Sequence, residues 1–462
     1  MKNKITVGRA LIKGDWKTRL SAVIMGAGNL LRGQIVRGLA FLAAEAGFIV
    51  YMILMGAEQL RMLPSLGING PGEVYDEVLD TYVVGYGDNS FTILLYGVLT
   101  IILIVAFILL WGFNMKEAYK AQLLKEEGKP LKTFREDLHS LIDEQFYKTL
   151  LALPLTGILL FTVLPLIFMI LVAFTNYDGT HDGYVTQLFH WQGWANFKTI
   201  FAFNQEPIPG TLSYAGVFGR ILGWTIIWAF FATFSNYFLG IIVALMINKK
   251  GIKFKKLWRT ILVLTIAIPQ FISLLYVSKM FDKSGLINGF LVHSGLISTA
   301  FDFWGKKTAA RILVILINIW IGIPYLMLIS TGILMNIPQD LYESANIDGA
   351  STIQQFTKIT LPYMLFVTGP YLLTSFIGNI NNFNVIYLLT GGGPDNPALL
   401  TSGGAAGYTD LLITWIFKIT TGAESKYYLA SMIGIMIFVV VAVLSLIVYN
   451  VIPSTRNEED YQ

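Results

Sequence analysis

The 462-residue chain is 55% hydrophobic and only 13% charged, about half the charged share of an ordinary soluble domain. Several segments must therefore lie where charge is expensive, and a net charge of +4 is too small to argue for a nucleic-acid partner. The absence of cysteine excludes disulfides, thiolate metal sites and cysteine nucleophiles.

No short apolar core with a small-residue cleavage site opens the chain, so no removable signal peptide is expected. Residues 15–35 offer an N-cap at Asp15 followed by Trp16, Leu20, Val23, Ile24, Leu30 and Leu31, a pattern that predicts a helix on the inner membrane surface. With a window of about 20 apolar residues, candidate spans fall near 37–56, 89–112, 150–174, 217–247, 260–280, 309–335, 363–390 and 428–452. The charged stretch 113–148, broken at Gly128-Lys129-Pro130, reads as a solvated helical linker between the first two spans and the other six. The four histidines, His139, His181, His190 and His293, all fall in polar connections. His181 and His190 lie near Asp178 and Asp182, but they read as loop residues, and no metal site is predicted.

With the N-terminus inside, the cytoplasmic segments carry 23 lysines and arginines and the outer segments 7. That bias places both termini in the cytoplasm. An ion-coupled secondary transporter is the main rival reading, because such proteins place ionisable groups deep in the membrane. Glu45, in the first span, is the one clear mid-span carboxylate, and it reads as packing against a partner or reaching polar surroundings rather than as a coupling group.

Between the sixth and seventh spans, residues 336–362 read as two short helices at a sharp bend. Pro338 suits a first helical position, Gly349 supplies a left-handed stop, and Ser351 with Gln354 forms a capping box. Pro362 is expected to prevent simple continuation into the next span. Glu343, Ala345, Gly349, Ile359, Leu361 and Pro362 stand at the spacing of the cytoplasmic loop of binding-protein-dependent ATP-binding-cassette (ABC) importers, with Ser344 in place of an alanine. The chain thus resembles that family's permeases. Trp191-Gln-Gly-Trp-Ala-Asn-Phe197, Gly391-Gly-Gly-Pro394 and Ala406-Gly-Tyr-Thr-Asp410 resemble the larger permease subunit of maltose and maltodextrin systems. The short 175–216 connection resembles the Gram-positive versions.

The resemblance implies an all-α membrane protein with a type I ABC importer permease fold of about eight spans, two of them extra at the N-terminus. It divides the chain into an N-terminal extension 1–112, a linker 113–149, a first core span with its outer loop 150–216, a transport domain 217–452 containing the coupling loop, and a cytoplasmic tail 453–462. Glu343, Ala345, Asp348 and Gly349 would couple to a cytoplasmic ATPase dimer. With no phosphate-binding loop here, that separate subunit would bind ATP and Mg, and this chain would carry no cofactor. The other implied partners are a second permease subunit, a lipid-anchored extracellular sugar-binding protein and membrane lipid.

Two spans carry uncharged polar stripes. Asn318, Gly322 and Tyr325 recur at i, i+4 and i+7 in the sixth, with Trp320 nearby, and Ser375, Asn379 and Asn382 do so in the seventh. Such a stripe serves either a neutral sugar, with its hydroxyls and apolar ring faces, or hydrogen bonding between helices. The resemblance implies that Asn318, Ile321, Gly322, Tyr325, Ser375, Asn379 and Asn382 contact a sugar, with Gly378 standing where the family has an aromatic residue.

Overall fold

The structure is a computed structural model that describes residues 5–76, 79–183, 187–202, 212–249, 251–401, 404–422 and 424–451. The expected tail 453–462 lies outside the described residues. The chain divides into two compact units, Met1–Gly193 and Trp194–Gln462.

The first unit opens with three short helices, α1 (Val7–Lys13), α2 (Trp16–Leu20) and α3 (Ala27–Leu30). The single surface helix expected over 15–35 is therefore broken. The chain turns at Gly26, whose φ of +82° suits a residue without Cβ. Asp15 does cap α2, accepting from the Thr18 N–H at 2.8 Å, and it also pairs with the buried Arg32. Burial pushes the Asp15 carboxyl up, but its bonds to Thr18 and Arg32 outweigh that and hold it below the usual range.

Two long helices follow, α4 (Ile35–Met62) and α5 (Ser90–Glu126), joined through a two-stranded antiparallel ribbon, β1 (Gly72–Asp76) and β2 (Thr81–Gly85). They pack through stacked Phe48 and Phe107 rings, a Tyr51–Thr100 hydroxyl bond and an Arg37–Glu117 ion pair. α5 is one 37-residue helix, so the first half of the expected linker is a direct extension of the second span. The second half is α6 (Phe134–Ile142), which begins with a capping box formed by Thr133 and Glu136.

Glu45 is not a lone mid-span charge. Its carboxylate accepts the Met25 backbone N–H at 2.8 Å, and it lies two turns along α4 from Arg37. It serves the cap formed by the N-terminal helices. The unit ends with α7 (Phe146–Val172) and a loop where Asp178 and His181 bond to each other at 2.8 Å.

The second unit holds α8 (Ala195–Phe201), α9 (Tyr214–Asn248), α10 (Lys255–Ala267), α11 (Gln270–Met280), α12 (Leu286–His293), α13 (Lys307–Leu334), α14 (Gln339–Ile347) and α15 (Thr352–Thr390). A ribbon of β3 (Asp395–Thr401) and β4 (Gly404–Gly407) and the helices α16 (Leu412–Thr421) and α17 (Tyr427–Val451) complete it. Among the described residues seven helices are long and apolar enough to cross a membrane, or eight if α10 and α11 together make one crossing. The expected fifth span is that pair, bent by 91°. Proline explains the break: Pro269 lacks an N–H and holds Ile268 in extended backbone, at φ −81° and ψ 126°. The expected all-α fold is thus mostly helical, with two small β-ribbons.

Candidate functional site

The helices of the second unit close around a five-residue π-turn, Phe231–Ser235, in the middle of α9. A π-turn inserts an extra residue and re-aims the side chains around it. Here it brings two polar residues that the sequence reading passed over, Thr233 and Asn236, against the two polar stripes. Asn379 donates to the Thr233 hydroxyl at 2.9 Å and accepts from Asn382 at 3.3 Å. Asn382 also caps the last segment of α15, accepting from the Val385 N–H. The Asn379 backbone carbonyl receives the Trp228 indole N–H at 3.1 Å.

On the α13 side, Asn236 fills the space left by Gly322: a Cβ there would stand 2.3 Å from Asn236 Nδ2. Asn236 Nδ2 donates to the Ala232 carbonyl at 2.8 Å and reaches the Asn318 carbonyl at 3.5 Å. Asn318 is buried, and its own Nδ2 has no partner among the described residues. Ile321 and Phe376 pack on one shared apolar cluster with Trp224 and Trp228, which draws α13 and α15 together. Tyr325 is exposed, with its ring 6.5 Å from that of Tyr371, one turn before the half-buried Ser375. Gly378 is exposed and open, with no atom within 4 Å of a Cβ built on it.

Three of the seven candidate sugar residues, Asn318, Gly322 and Asn379, therefore meet the π-turn or Asn236 just after it, and the seven differ in setting. Asn318, Gly322, Asn379 and Asn382 are engaged by neighbouring segments. Tyr325 and Gly378 face away from the chain's own core. The signal that could have found Thr233 and Asn236 was Thr233-Phe-Ser-Asn236, a polar interruption in an otherwise apolar span.

The two motifs after the seventh span form one knot. Thr409 donates its N–H to the Gly392 carbonyl at 3.1 Å and its hydroxyl to that of Gly393 at 2.6 Å. Asp410 is buried against Gly392, accepts from the Gly407 N–H and Thr414, and meets Lys418 at 2.7 Å. Burial pushes its carboxyl above the usual range despite those partners.

The 336–362 loop is a helical hairpin. Pro338 is the N-cap of α14, one position earlier than expected. Gly349, at φ +74°, ends that helix, and the Ala350 N–H bonds back to the Ala345 carbonyl at 2.9 Å. Ser351 and Gln354 make the capping box that opens α15. Tyr342 bonds Thr360, and Gln355 bonds Asn346, so the two arms are held at a fixed angle. Pro362 does not stop the chain. A π-turn at Phe356–Thr360 absorbs the hydrogen bond that proline cannot make, and the second arm runs straight into the seventh span. Glu343 and Asp348 are exposed and make no ion pair among the described residues, while Ile347 is 87% and Ile353 75% exposed.

Residues 236–457 match the family model of the binding-protein-dependent transport system inner membrane component. The maltodextrin transport system permease protein MdxF of Bacillus subtilis is 34% identical over 461 residues, 97% of this chain and 98% of that protein. The chain belongs to this permease family. The galactooligosaccharides transport system permease protein GanP of the same organism is 33% identical over 95% of this permease and 98% of its own length. A solved bacterial alginate ABC transporter, in complex with an alginate pentasaccharide-bound periplasmic protein, aligns with 68% of this permease and 95% of its own chain. Its TM-score of 0.52 at 22% identity speaks for the fold alone. The permease is thus a multi-pass membrane transport component, and the ion-coupled rival gains no support.

Proposed function

We propose that this permease forms half of the translocation pathway of an ATP-driven importer for neutral gluco-oligosaccharides of the maltodextrin class. The observation that carries the proposal is the hairpin 336–362, a pair of arms tied by two side-chain hydrogen bonds and joined directly to the seventh span, with apolar Ile347 and Ile353 bare beside exposed Glu343 and Asp348. Exposed apolar residues rimmed by charge suit a protein partner. In this reading Glu343, Ala345, Asp348 and Gly349 seat the hairpin on a separate cytoplasmic ATPase dimer, where ATP and Mg bind. A second permease subunit supplies the other half of the path, and an extracellular binding protein delivers the sugar. Both termini then lie in the cytoplasm.

Within the path, the uncharged amides on α13 and α15 suit sugar hydroxyls, and Tyr325 suits a ring face. A galacto-oligosaccharide is the second reading, favoured by the nearly equal identity to GanP. The test is uptake by the reconstituted complex with its binding protein, comparing labelled maltotriose with a galactotriose. Maltotriose-dependent, ATP-dependent uptake is expected. Uptake of galactotriose alone would move the substrate to the second reading, and uptake without ATP would overturn the importer.

A further inference from the structure

The first unit contains a groove of about 500 Å³ between α4, α5 and α6 that the transport reading leaves without a role. Its walls are apolar: Ala40, Phe41, Phe113, Leu124, Phe134 and Leu141. Its rim is cationic, with Arg37, Lys120, Lys132 and Lys148. Two carboxylates also line it, Glu117 and Asp137, and both are held by Arg37, at 2.6 and 2.5 Å. Lys120 stands 3.8 Å from Glu117, Lys132 stands 3.6 Å from Glu144 and Lys148 donates to Gln145. The lining carries four positive and two negative charges, and Glu144 beside Lys132 leaves an excess of one positive charge over an apolar floor.

The setting narrows what such a groove can hold. α6 leaves Phe134, Leu138 and Ile142 exposed, and Phe146 just beyond it, while Arg135, Glu136 and Asp143 stand among them. That amphipathic surface adjoins two helices long enough to cross a bilayer, and since 113–148 carries seven lysines and arginines against seven acids, the positive excess is local to the groove. A helix of this kind lies in the headgroup layer, its apolar side among acyl chains.

We propose that the groove is a binding site for an anionic phospholipid of the inner leaflet. Its phosphate sits among Lys120, Lys132 and Lys148, and an acyl chain lies along Phe41 and Phe113. Basic pockets between membrane helices on the cytoplasmic side recognise acidic headgroups in this way. A soluble anion would use the lysines but gain nothing from the apolar walls.

The full chain, purified in its complex, is delipidated mildly and offered phosphatidylglycerol or phosphatidylcholine, and bound lipid is counted by native mass spectrometry. Phosphatidylglycerol is expected to be retained, and the triple variant Lys120→Gln, Lys132→Gln, Lys148→Gln should weaken its retention about tenfold or more, with phosphatidylcholine unchanged. Lys253→Gln with Lys256→Gln, two lysines of another connection, should change nothing. Ala40→Phe, which fills the groove without touching charge, should also lower retention. The proposal falls if the triple variant retains the lipid like the parent, or if the distant pair matches its effect. It also falls if Ala40→Phe has no effect, or if millimolar inorganic phosphate displaces the lipid.

Discussion

A methyl group added at Gly240 would stand 2.6 Å from Leu326 Cβ and about as close to backbone as packing permits, 3.2 Å from the Leu326 carbonyl carbon. One added at Gly378 would meet nothing within 4 Å. Gly240→Ala should therefore push α9 off α13, lowering stability by about 1–3 kcal/mol, the usual cost of overpacking. Gly378→Ala should leave the melting midpoint of the purified permease unchanged. Equal melting for both variants would mean the two helices do not meet through Gly240. The sequence could not separate these glycines, since each lies within a polar-dotted span. Periodicity placed Asn318, Gly322 and Tyr325 on one stripe, and they do share it. It could not say that the stripe, running about 10 Å along the helix, begins buried at Asn318 and ends exposed at Tyr325. Nor does a 3.6-residue period admit a π-turn, which is why Thr233 and Asn236 escaped notice while Asn379 and Asn382 were found.

The hairpin between α13 and the seventh span was the most legible element, because its structure is local. Gly349, Ser351 and Gln354 act through backbone bonds a few residues away, so their spacing carries the geometry with it. Pro362 misled because its cost was absorbed by the π-turn that ends two residues before it, and the broken fifth span was missed because hydropathy averages over Pro269. The length of α5 was hidden likewise: charge marks where a helix leaves lipid, not where it ends. The geometry at Gly349 yields a graded test. At φ +74° a β-branched residue costs about 1–2 kcal/mol, whereas asparagine tolerates the left-handed region. Gly349→Val should reduce sugar-stimulated ATPase activity of the complex at least about tenfold, and Gly349→Asn should keep most of it, both with normal membrane insertion. Equal activity in the two variants would separate the helix stop from coupling.

At the scale of the whole chain, one bend decides the topology. If α10 and α11 together cross the membrane, the eight crossings put the 113–148 and 336–362 connections on the same side; if the pair turns back, they fall on opposite sides. Charge favours the crossing: residues 248–259 hold six lysines and arginines, while 281–308 hold three. A re-entrant pair would leave the 281–308 connection on the same side as that basic cluster and carry the 336–362 hairpin outside, away from the ATPase proposed for it. The chain has no cysteine, so single introduced thiols report sidedness without background. Ser294, just after α12, and Ser344, on α14, are both exposed and so open to a reagent. In intact cells a membrane-impermeant maleimide should label Ser294→Cys, and Ser344→Cys only after permeabilisation. The reverse pattern would make α10 and α11 a re-entrant loop and remove the basis for ATP-driven coupling through the hairpin. Labelling of Ser294→Cys from outside, with Ser344→Cys protected, would leave the 91° bend inside a crossing segment. The bend would then be a fixed corner in the wall of the second unit, set by Pro269 and Ile268.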